Sequence, residues 1–154
     1  MIVLFGKILV PIDGSEHSMK ALRVAAEIAK NCKSEEFVLI NVYSASFLVA
    51  GLEPEGVSVT PEIYRNLLDA ARANSARILA EGKNMTKAQG VSVDTIETLS
   101  MEGHVVETIV KTAGEGEFNL VVLGHRGTSR FETLLGSVSH GVTRHATCPV
   151  LVVR

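Results

Sequence analysis

Five short runs rich in β-branched and apolar residues punctuate this chain, and stretches with the period of a helix lie between them. The runs are Lys7–Val10, Phe37–Tyr43, Ser92–Leu99, Leu120–Leu123 and Pro149–Val153. In the third, Val93, Thr95 and Glu97 alternate with Asp94, Ile96 and Thr98. Met19, Leu22, Ala26 and Ala29 mark one face of a helix that starts after Ser15, its N-cap, and runs to near Lys30. Pro61 opens a second helix reaching towards Lys87, striped by Ile63, Leu67, Ala71 and Ile78. A third follows Gly103, with Val106, Ile109, Val110 and Ala113 facing inward, and a short fourth spans Ser137 to Arg144. Ser44 to Thr60, which carries Gly and Pro, reads as a surface excursion.

Strand and helix in alternation predict an α/β fold: one doubly wound, five-stranded parallel sheet with helices on both faces. Right-handed crossovers put the ligand crevice of such a sheet outside the carboxyl ends of the strands, where the strand order reverses. In a 3-2-1-4-5 order that point lies between the first and fourth strands. Asp13 follows the first and Gly124 the fourth, so two loops far apart in sequence become neighbours.

Composition narrows the function classes. The 154 residues suffice for one domain with a real core and not for two. With 46% apolar and 21% charged residues the chain is globular, and a net charge of −2 gives no reason to expect nucleic acid or an anionic membrane as partner. No apolar run approaches the roughly 18 to 20 residues of a membrane span. The start, Met1 to Lys7, lacks a basic leader and a cleavage site, so the expectation is a cytoplasmic protein. Cys32 and Cys148 stand far apart and read as two buried thiols of a reducing compartment. His17, His104, His125, His140 and His145 lack the spacing of metal ligands, so no protein-held metal is expected.

The segment with chemistry in it is Gly124-His125-Arg126-Gly127, then eight residues, then Gly136-Ser137. A phosphate needs backbone N–H groups aimed inward with no Cβ in the way, and it gains from a helix N-terminus, which Ser137 would begin. On spacing alone the segment is open between a tight turn and such a cradle. There is no Walker A sequence, and no acid is placed to orient an attacking water. Binding without fast turnover is the expectation.

Leu120 to Val153 resembles the carboxyl third of the universal stress proteins, whose ATP-binding branch carries Gly, two residues, Gly, about nine residues and Gly-Ser before a helix and a Pro-Val strand. Lys7 to Ser15 resembles the opening strand and loop of that family, and Asn41-Val42 its strand-end pair. Here the loop between Gly127 and Gly136 is one residue shorter than the family pattern. The resemblance implies an adenine nucleotide, ATP or else AMP or ADP, with magnesium arriving on its phosphates. It implies that Asp13 bonds a ribose hydroxyl or the adenine edge, that the Val42 backbone meets adenine, and that Gly124 sits under the ribose. Gly127, Gly136, Ser137 and the Val138 amide would hold phosphates and Arg126 or Arg130 an outer oxygen, with the strand ends Pro11 and Leu123 in the same site. His125 and His104 are weaker candidates for a ligand contact. It further implies a homodimer through the last strand. Two other classes stay open: a nucleotide-free dimeric scaffold, and an adenylating enzyme. The latter lacks its first-loop signature here. A phospho-receiver is disfavoured because Leu99-Ser100 supply no acid where the third strand should end.

Overall fold

Val, Ile and Leu fill β1 (Lys7–Pro11), β2 (Glu36–Tyr43) and β4 (Leu120–Gly124) on both faces, a pattern that only a sheet covered on both sides can bury. The computed structural model describes residues 4–52, 56, 58–125 and 136–154, and it places these strands at the centre of a five-stranded parallel sheet. The order is β3-β2-β1-β4-β5, with β3 (Ile96–Glu102) and β5 (Val150–Val153) at the edges. The doubly wound arrangement and its 3-2-1-4-5 order are those expected from the alternation.

Alternate residues of the strands serve two cores. Ile8, Val10, Phe37, Leu39 and Val122 face α1 (Glu16–Cys32) and α3 (Pro61–Ala88). Leu9, Val38, Ile40, Val121 and Leu123 face α4 (Val105–Glu115) and α5 (Ser137–His145). Helix starts are fixed by side-chain caps at the expected places. Ser15 Oγ accepts from the Ser18 N–H at 3.2 Å, and Thr60 Oγ1 from the Ile63 N–H at 3.2 Å, just ahead of Pro61.

Four expectations are corrected. The segment read as a surface excursion contains a helix, α2 (Ala45–Leu52). Nothing from Ala45 to Ala50 breaks a helix, and Gly51 and Pro54, which suggested a loop, come only at its end and after it. The third strand starts later than its alternation suggested, because Val93–Thr95 form a 3₁₀ turn closed by the Thr95 N–H on the Ser92 carbonyl. It therefore ends on an acid, Glu102, and what separates the fold from a receiver is strand order, since receivers run 2-1-3-4-5. Val110 is only half-buried, at the margin of the inward face that Ile109 and Ala113 occupy. Both cysteines are half-buried too, and burial pushes the Cys148 thiol up from its ordinary range.

One glycine sets how closely α3 approaches the sheet. A Cβ on Gly82 would stand 2.6 Å from Ile12 Cδ1, with Leu39 Cδ1 at 3.3 Å and Leu22 Cδ2 at 3.4 Å closing the other directions. Ile12 is 3% exposed, so its side chain would have to shift within the core to make room. Gly82→Val should destabilise the fold by about 1–3 kcal/mol, the cost of overpacking a filled core. Urea unfolding measures it, and an unchanged midpoint would show that α3 is not seated this tightly.

Candidate functional site

β1 and β4 are hydrogen-bonded neighbours, with Ile8 opposite Leu120 and Leu9 opposite Val121. Beyond that pairing their chains part. β1 leads into α1 on one face of the sheet, while the chain after β4 returns through α5 on the other. A cavity of about 230 Å³ lies where they separate. Pro11 at the end of β1, Leu123 and Gly124 at the end of β4 and Val42 from β2 line it, with Asp13 on the loop after β1. Gly136, Ser137 and Val138 line it from the start of α5. These residues were expected at one site, and they line one cavity. Arg126 and Gly127, like Arg130, lie outside the described residues.

Each loop has a local reason for its shape. Asp13 is exposed, and its Oδ1 accepts from the Ser15 N–H at 2.9 Å, a turn that ends in the N-cap of α1. Gly14 follows at φ +81°, where a side chain would be strained. At the other loop, the His125 N–H donates to the Val153 carbonyl at 2.7 Å. The His125 carbonyl accepts from the Gly136 N–H at 2.9 Å and from Ser139 Oγ at 2.7 Å. That carbonyl pins the start of α5 to the end of β4. The helix has a glycine as N-cap, no side-chain cap and no acid in its first turn, so among the described residues its first amides are left without a side-chain acceptor.

Asp13 is the one charged residue among the described residues that line the cavity. Ile40, Val42, Val105 and Ile109 make an apolar wall. A carboxylate, the amides of a helix start and an apolar wall suit a ligand with a flat apolar body and an anionic tail. No general acid–base pair stands among these residues, and no group of three His, Cys, Asp or Glu that could hold a metal occurs among the described residues. No helix among the described residues is long and apolar enough to cross a membrane.

Sequence reasoning passed over Ser18 and Asn41, which line the cavity at 5% and 6% exposure. The signal was there for Asn41, a polar residue inside an apolar strand. Ile109 was read as core only, and Val105, one turn before it on α4, was not singled out. The two weaker histidine candidates have other places. His125 is buried and is not among the described lining residues, and His104 Nδ1 accepts from the Glu107 N–H at 3.4 Å as the N-cap of α4. Next to the site, Tyr43 Oη accepts from Arg72 Nε at 3.3 Å, which holds the Arg72 guanidinium above its ordinary range.

The described features have relatives. A family model, that of the universal stress protein family, matches residues 4–154. Universal stress protein YxiE of Bacillus subtilis is 35% identical over 153 residues, which cover 98% of this chain and 100% of that one. The structure of universal stress protein UspA from Lactobacillus plantarum matches with a TM-score of 0.80 at 26% identity, covering 97% of this chain and 98% of that one. A universal stress protein solved in complex with cAMP matches with a TM-score of 0.69 at 26% identity, covering 97% of each chain.

Gly124 has a second reason to be glycine. A Cβ there would stand 2.7 Å from the backbone carbon of His17 and 2.8 Å from its carbonyl oxygen, in the first turn of α1. Backbone held by a capped helix does not yield as a side-chain end would. Gly124→Ala should therefore destabilise the ligand-free protein, by about 1–3 kcal/mol. Thermal and urea unfolding without ligand test this, and wild-type stability would return Gly124 to a purely ligand-facing role.

Proposed function

The chain belongs to the universal stress protein family, and we propose that it binds an adenine nucleotide in the cavity between β1 and β4. The observation that carries the reading is the cavity itself: an apolar wall, one carboxylate among its described lining residues, and the start of α5, which has no side-chain cap. A solved relative of 26% identity holds cAMP. Adenine would lie against Val42, Val105 and Ile109, with the Val42 backbone at its edge. Asp13 would accept from a ribose hydroxyl or an exocyclic amine, since an ionised carboxylate only accepts. Phosphate would meet Gly136 and the amides of Ser137 and Val138, and the family pattern in the sequence adds Arg126 and Gly127 as candidates. At about 230 Å³ the cavity is smaller than the roughly 300–1,000 Å³ of sites that enclose a whole ligand. The outer phosphates would then project beyond it, and magnesium would ride on them rather than on the protein.

Turnover should be slow, because Asp13 has no partner base or acid in the wall. The unpaired cysteines Cys32 and Cys148 suit the cytoplasm. We expect calorimetric titration to show binding of ATP and ADP within about tenfold of each other, roughly 1.4 kcal/mol. Asp13→Ala should weaken both. If neither nucleotide binds at millimolar concentration, the site is not a nucleotide site and a ligand-free scaffold becomes the better reading.

A homodimer through β5 belongs to the same proposal. The Val121 N–H donates to the Pro149 carbonyl and the His125 N–H to that of Val153, so the odd-numbered residues of this edge bond inward. Val150 and Val152 therefore present N–H and C=O outward, beside Leu151 at 37% exposure. Val152→Pro deletes an outward donor and leaves the β4 ladder whole. Light scattering should show a dimer for wild type and a shift towards monomer for the variant; a monomeric wild type at tens of micromolar would end the idea.

A further inference from the structure

We propose that Asn41 and Ser18 clamp the peptide unit between Ile12 and Asp13 from two sides, and so set the Asp13 carboxylate where the cavity needs it; this rests on the nucleotide reading above. The ladder between β1 and β2 ends at the Ile12 N–H, which donates to the Ile40 carbonyl at 2.9 Å. The next peptide unit, the carbonyl of Ile12 with the N–H of Asp13, has left the ladder while still beside the core. Ile12 is 3% exposed, and an unsatisfied carbonyl there would cost about 1–3 kcal/mol.

Both polar groups of that unit are taken by buried side chains. Asn41 Nδ2 donates to the Ile12 carbonyl at 2.8 Å, and Ser18 Oγ accepts from the Asp13 N–H at 3.3 Å. One side chain comes from β2 and the other from α1. The carbonyl and the N–H of a trans peptide lie in its plane and point in opposite directions, so bonds at both ends restrain its rotation as one bond would not. The chain on the far side is fixed as well, by Gly14 at φ +81° and by the Asp13 Oδ1 bond to the Ser15 N–H. Among the described residues the second oxygen of Asp13 takes no hydrogen bond.

Each residue also serves the fold, since Asn41 satisfies the buried Ile12 carbonyl and the Ser18 hydroxyl donates to the Ser15 carbonyl at 3.0 Å. α1 already has its cap in Ser15, whose Oγ accepts from the Ser18 N–H, so the hydroxyl of Ser18 is surplus to that task. Asn41 puts a polar amide into a strand whose preceding residues, Phe37 to Ile40, are all apolar and buried. Both are positioning residues: they act on the ligand through Asp13, by removing freedom that binding would otherwise have to freeze.

Two measurements test the clamp. In the ligand-free protein, amide exchange at the Asp13 N–H should be protected, and Ser18→Ala and Asn41→Leu should each raise it about tenfold. AMP titration should show each variant binding about tenfold more weakly than wild type, equivalent to about 1.4 kcal/mol. In an Asp13→Ala background the same changes should add no more than about twofold, because their effect passes through the residue already removed. Should Asn41→Leu fail to fold, Ser18→Ala carries both measurements. Wild-type exchange in the variants would overturn the clamp, and so would losses that add in full to that of Asp13→Ala. Failure of wild type to bind AMP at millimolar concentration would instead overturn the nucleotide reading, and with it any positioning role.

Discussion

Strands β1 and β4 lie side by side but hand their chains to opposite faces of the sheet, and the geometry of the site follows from that parting. A right-handed crossover can leave a parallel strand on either face, according to which way the sheet is being extended. The chain runs outward from β1 through β2 to β3, then starts again at β4 and runs outward to β5. The reversal leaves a gap at the carboxyl ends of the strands, and the cavity lies in that gap. Close packing around it is what gives the gap fixed walls. α1 presses its first turn against Gly124, α3 presses Gly82 against Ile12, and α5 is tied back to β4 through the His125 carbonyl.

How much of this a reader could see in the sequence depends on how many neighbours decide each element. β1, β2 and β4 are buried on both faces, so their apolar runs leave no other reading, and Ser15 and Pro61 announce helix starts by local chemistry alone. β3 pairs only with β2, and most of its residues are exposed, so alternation carries little information about where it begins. The register with β2, Phe37 opposite Ile96, sets its start instead, and register is not a local property. α2 was obscured because breakers near its end were taken to describe the whole segment.

The candidate site was legible in a similar, uneven way. Glycines and a serine after β4 advertise a close backbone approach, and Asp13 stands out at the end of an apolar strand. Gly124 shows the weakness of that inference, since the first turn of α1 already forbids a side chain there whether or not a ligand is present. Ser18 and Asn41 stayed hidden for the opposite reason. Their task is to complete hydrogen bonds across three elements, β1, β2 and α1, and nothing in the spacing of residues 12, 18 and 41 reveals a shared peptide.

The distribution of polar groups around the cavity also bears on what kind of work it can do. Hydrolysis needs a nucleophile oriented by one group while charge on the leaving oxygen is met by another. Among the described lining residues only Asp13 is charged. Its Oδ1 is engaged by the Ser15 N–H, and the peptide before it is held from both sides. A lone carboxylate held that firmly is suited to reading a ligand's shape, and no second acid or base among the described lining residues would help it activate water. The same rigidity means that an occupied cavity would tie α1, β2 and α5 together through one molecule. Information about the ligand could then pass to the outer surfaces of the fold without any chemical step.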